Sequence, residues 1–90
     1  MLDAGAVKGI CQAGRSLLPV GVIGVTGEFL RGDLVRCVDP EGKEVARGLS
    51  NYNAVDAKKL LGRVSTEIES ILGFGGDEEL IHRDNLITTR

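Results

Sequence analysis

Ninety residues allow one domain with one core, and leave no room for a deep two-lobed active site. The net charge of −2, from 11 basic and 13 acidic residues, supplies no global field for nucleic acid, so any such binding has to rest on a local patch. Apolar residues make up 42% and aromatics 3%, so the core is expected to be aliphatic. No apolar run reaches the ~18 residues of a membrane span, and no charged n-region precedes an apolar h-region. The expectation is a cytoplasmic chain without a membrane partner, with Cys11 and Cys37 as free thiols.

In chain order, "LDAGAVKGICQAG" predicts a first helix. Asp3 suits its N-cap, Val7, Ile10 and Cys11 repeat at helical spacing, and Gly14 supplies the stop. "SLLPVGVIGVTGEF" is rich in β-branched residues and predicts a bent strand. Pro19 stands at its entry, and Gly21 and Gly24 mark a bulge, a sharp bend or the close approach of another backbone. "RGD" at 31–33 reads as a plain turn. "LVRCV" and "KEVARGL" read as a hairpin joined by "DPEG", where Asp39, Pro40 and Gly42 suit positions i, i+1 and i+3 of a type I turn.

"NYNAVDAKKLLG" predicts a second helix capped by Asn53, with Asp56 at N3, an inner stripe of Ala57, Leu60 and Leu61, and a stop at Gly62. "STEIESILG" predicts a third, with Ser65 as cap and Ile68, Ile71 and Leu72 inward. "FGGDEE" reads as a polar, flexible loop. "LIHRDNLITT" closes the chain as a strand interrupted by the polar residues His82 to Asn85. No βαβ alternation appears, so the fold class is α+β with a small, bent, mostly antiparallel sheet.

The chemical motifs are weak. His82-Arg83-Asp84 matches the tripeptide of a protein-kinase catalytic loop, but DFG is absent and Asn85 follows at once rather than several residues later. The alternative is a polar kink in which Asp84 pairs with Arg83 or caps a backbone amide. "GFGGDEE" lacks GK[ST] and sets Asp77, Glu78 and Glu79 where a phosphate would sit. One histidine and two distant cysteines do not make a zinc site. The expectation is therefore no catalytic, cofactor-binding or metal residue in this chain. For RNA, the candidate cations are Arg15, Arg31, Arg36, Arg47 and Arg83, with Lys58, Lys59 and Arg63 clustered on the second helix; Tyr52 is the one obvious stacking candidate.

The run "GRSLLPVGVIGVTGEFLRGDLVRCVDPEGKEVARG", residues 14–48, resembles a PUA domain, the family named for pseudouridine synthase and archaeosine transglycosylase. With "LDAGAVKGI", "GLSNYNAVDAKKLLG", "STEIESILG" and "IHRDNLITTR", the whole chain resembles the C-terminal domain of the bacterial glutamate 5-kinases. The resemblance implies a small, mostly antiparallel PUA-like pseudo-barrel with short flanking helices, spanning residues 1–90 as a single domain. It implies a parent kinase, likewise expected to be a homo-oligomer, whose N-terminal amino-acid-kinase domain is absent here and carries the MgATP and glutamate chemistry of proline synthesis. In that reading this domain is a regulatory or assembly module and its partner is its own kinase domain. The alternative is an RNA-binding PUA module. In other PUA proteins RNA lies against the first helix and the loop after it, which by position implies Gly14, Arg15 and Ser16.

Overall fold

The computed structural model of the chain describes residues 1–74 and 76–89; Gly75 of the acidic loop and Arg90 of the closing segment lie outside the described residues. The first helix, α1, spans Ala4–Ala13. The Asp3 side chain accepts the Ala6 N–H at 2.7 Å, and Gly14 closes the helix with φ 61°. A left-handed residue there frees the chain to turn back, and glycine adopts that conformation without the clash a Cβ brings. Val7 and Ile10 are buried and Cys11 is half-buried, as the spacing predicts.

The hairpin follows the expected plan. Strand β1, Leu34–Val38, pairs antiparallel with β2, Glu44–Leu49. Asp39 organises the turn between them: its Oδ1 accepts the N–H groups of Glu41 and Lys43, both at 2.9 Å, while Gly42 N–H donates to the Asp39 carbonyl. The register shifts between Cys37 and Val38, so Cys37 faces Ala46 and Val38 faces Glu44. That bulge leaves Val45 without an opposite residue. It explains the imperfect alternation of the strand, for Val45 and Ala46 are both fully buried. Strand β3, Leu86–Thr88, adds to β2 on its other side, giving the sheet order β1-β2-β3.

Helix α2 spans Ala54–Lys59, with the Asn53 side chain accepting the Asp56 N–H at 2.8 Å. Helix α3 spans Ile68–Leu72 and ends at Gly73. Its start differs from the expectation. Residues Ser65–Glu67 form a 3-10 turn, Val64 takes the cap position, and the Ser65 hydroxyl donates instead to the Glu78 carbonyl at 3.2 Å. The hydroxyl thus ties the acidic loop to the helix rather than capping it.

The larger correction concerns residues 20–29. They form no ladder strand. Pro19–Gly21 is a 3-10 turn, closed by the Val22 N–H on the Pro19 carbonyl at 3.0 Å. Beyond it, the N–H groups of Ile23 and Gly24 both donate to the Met1 carbonyl, and Leu2 and Val22 form an isolated antiparallel bridge. Backbone groups of Gly21, Ile23 and Gly24 that a strand would offer to a sheet are taken by the N-terminus. A second isolated bridge, Leu17 with Ile81, ties the segment after α1 to the end of the chain. The aliphatic core gathers Leu2, Val7, Ile10, Leu17, Val22, Cys37, Val45, Leu60, Ile68 and Ile81.

Candidate anion-binding site

Gly14, Arg15 and Ser16 lie in the loop leaving α1. The structure brings this loop against the polar interruption at the end of the chain. The Leu17 N–H donates to the Ile81 carbonyl at 2.9 Å, and the Leu80 N–H returns a bond to the Leu17 carbonyl at 2.8 Å. This pairing delivers Arg83 to Ser16, whose Oγ accepts the Arg83 N–H at 2.8 Å. The hydroxyl retains its own proton to donate outward. Arg15 and Arg83 are exposed and make no ion pair among the described residues. Arg15 lies back over the helix it follows; a Cβ placed on Gly9 would meet the Arg15 Cδ at 3.9 Å.

His82-Arg83-Asp84 forms a local knot. Arg83–Asn85 is a 3-10 turn, and the His82 Nδ1 accepts the Asp84 N–H at 3.1 Å. An Nδ1 that accepts carries no proton, so the 3.5 Å approach of the Asp84 carboxylate to the same atom is not an ion pair in that arrangement. The cap of the turn is therefore His82, and among the described residues Asp84 neither pairs with Arg83 nor caps an amide.

Four other arginines are committed elsewhere. Arg31 reaches Asp77 at 3.2 Å, and Arg63 reaches Glu67 at 3.5 Å. Arg36 and Arg47 share the Glu44 carboxylate at 2.7 and 2.9 Å. Hydrogen bonds from Thr89, Arg36 and Arg47 hold the Glu44 carboxyl down at about 2. Lys58 and Lys59 are exposed in the last turn of α2.

Tyr52 is corrected outright as a stacking platform. It is 4% exposed, and its hydroxyl donates to the Asp77 carbonyl. Burial, with Asp77 second, pushes its phenol above the ordinary value. Cys37 is buried and its thiol is pushed up to about 11, chiefly by that burial, so it is no nucleophile at neutral pH.

What the loop offers is a hydroxyl donor at Ser16, beside the exposed Arg15 in sequence and against the backbone of the exposed Arg83. Such a set suits an anion and lacks the paired acid and base that bond-breaking needs. Arg83 is the member that sequence reasoning did not place beside the loop. It lies 67 residues from Ser16 in the chain, and no local signal marks the contact.

A helix ending in a glycine loop, a bulged hairpin and a returning C-terminal strand define a small α+β domain of the PUA class. The family model for the PUA domain matches residues 1–72, and the chain belongs to that family. Among solved structures, a PUA domain from Aeropyrum pernix K1, crystallised with tartrate, superposes with a TM-score of 0.64 over 90% of this chain and 39% of that one, at 21% identity. The curated relatives are more specific. The chain is 58% identical over 86 residues to a glutamate 5-kinase of Nitrosospira multiformis, and 59% identical over 87 residues to one of Pseudomonas putida. These alignments cover 96% and 97% of this chain but 23% of each relative.

Proposed function

We propose that this chain is the PUA domain of a glutamate 5-kinase of proline synthesis, and that it serves assembly or regulation while another part of the parent carries the phosphoryl transfer. The observation that supports this reading most is the identity of nearly three in five residues to glutamate 5-kinases across almost the whole chain. Such identity extends to surface positions, where a shared fold alone imposes little. Phosphoryl transfer requires a bound metal, positioned phosphates and an oriented acceptor. The backbone of the candidate tripeptide is held in a local 3-10 turn capped by His82. MgATP and glutamate belong, in this reading, to the remaining part of the parent, which acts in the cytoplasm.

The test is a graft. Replacing the matching 87-residue region of the Pseudomonas putida enzyme with this chain should preserve that enzyme's oligomeric state and kinetics, and deleting the region should change at least one of them. A graft that behaves like the deletion contradicts the proposal.

A second reading, an RNA-binding module, is favoured by one observation: the Ser16 hydroxyl holds the backbone of Arg83, which brings that exposed arginine's segment to the loop that carries the exposed Arg15. It predicts low-salt binding of structured RNA whose log affinity falls with log salt. Arg15→Ala should weaken it and flatten the slope by about 1. Absence of binding by the unaltered chain at low salt removes this reading.

A further inference from the structure

The outer face of the sheet carries large aliphatic side chains where an antiparallel sheet with one solvated face ordinarily places polar ones. Along β1, Val35 and Cys37 turn inward while Leu34 and Arg36 turn out; along β2, Arg47 and Leu49 turn out. Leu34 stands directly opposite Leu49, and Ile87 of β3 stands directly opposite Arg47. Leu34 is 64% exposed, Leu49 42% and Ile87 72%. These three line one shallow depression of about 400 Å³ with Arg47 and the neighbouring polar residues of the 84–89 segment. Beside it, Arg36 and Arg47 share the single carboxylate of Glu44, and Asp84 adds a second carboxylate to the lining, so the charges around the depression balance and its aliphatic side chains are the distinguishing feature.

We infer that this face docks the remainder of the parent chain, through an aliphatic surface that meets Leu34, Leu49 and Ile87. The inference rests on the reading of the domain as part of a larger kinase. Two considerations favour that occupant over a second copy. The matched region is 23% of the relatives' length, so about three quarters of such a protein lies beyond it. The patch is also small: three aliphatic side chains fall well short of the ~800 Å² per partner of a standard free association. A covalently linked partner meets the patch at an effective concentration of order millimolar, so a modest contact suffices, and interfaces between domains of one chain are accordingly smaller and more polar.

The experiment introduces Leu34→Glu and Ile87→Glu together into the full-length parent. Both positions are exposed, and a glutamate at 87 faces Arg47, so the isolated 90-residue chain with the same changes should keep its unfolding midpoint and report that the domain still folds. Limited proteolysis between the domain and the remainder should accelerate about tenfold or more, because cleavage follows the population of the undocked form. Deletion of the domain is measured in parallel. If deletion alters kinetics or assembly while the double variant is cleaved like the unaltered parent, the docking face is wrong and the modular reading stands. If deletion alters neither, the modular reading fails and the inference goes with it. Concentration-dependent dimerisation of the isolated chain that the two glutamates abolish, or salt-sensitive RNA binding that they abolish, also overturns it by giving the face another occupant.

Discussion

Gly21 and Gly24 have the same sequence signature and opposite environments. A Cβ on Gly21 would lie 2.6 Å from the Ala6 Cβ of α1, whereas on Gly24 the nearest atom would be the Met1 Cβ at 3.7 Å. Gly21→Ala should therefore lower stability by about 1–3 kcal/mol through overpacking, and Gly24→Ala should stay within about 0.5 kcal/mol. Urea midpoints of the two variants test this, and equal midpoints contradict it. The sequence offered a bulge, a sharp bend or a close approach at both glycines; a close approach is found at Gly21 and not at Gly24. Tyr52 shows a similar limit: its type fitted a stacking role, but only the fold reveals that its hydroxyl holds the Asp77 carbonyl. Tyr52→Phe should cost about 1 kcal/mol and raise hydrogen exchange in the 76–79 segment that the bond restrains. Glu44 gives a pH prediction. Its folded value of about 2 lies below the ordinary carboxylate value of ~4.3. Its contribution is therefore complete above the ordinary value and lost as pH falls through the folded one. Glu44→Gln should be less stable than the unaltered chain at neutral pH, by a small and salt-sensitive margin. The two urea midpoints should converge as pH approaches 2.

At the scale of elements, what was legible were the devices that act locally. Asp3, Asn53, Gly14 and the "DPEG" turn each do their work within a few residues, and each falls where the spacing puts it; Gly62 does not, for α2 already ends at Lys59 with Leu60 as its cap and the Gly62 N–H donates to the Pro19 carbonyl. The 20–29 segment was misread because its β-branched composition is a property of the side chains, while its conformation is set by distant partners. The Met1 carbonyl takes two of its N–H groups and α1 packs against Gly21. The turn at Asp39 supplies the matching test. Asp39→Ala strands the N–H groups of Glu41 and Lys43 in a partly buried turn and should cost about 1–3 kcal/mol. Asp39→Asn, which keeps an acceptor oxygen, should recover most of the loss. Equal urea midpoints for the Asp39→Ala variant and the unaltered chain would count against the turn as the organiser of the hairpin.

For the whole molecule, the fold class and the family follow from the residues quoted along the chain, while the candidate site was half legible. The loop Gly14–Ser16 was in view from its helix stop; Arg83 was not, because the Leu17–Ile81 bridge that delivers it joins opposite ends of the sequence. The proposed role has the domain contribute no bond-making chemistry and act through the rest of a kinase. The most direct measurement is MgATP-dependent formation of γ-glutamyl phosphate, trapped as the hydroxamate, by the isolated chain, by the full-length parent and by the parent lacking residues 1–90. The account predicts no turnover by the isolated chain and a change in kinetics or assembly when the domain is removed. Turnover by the isolated chain that Asp84→Asn abolishes would contradict it.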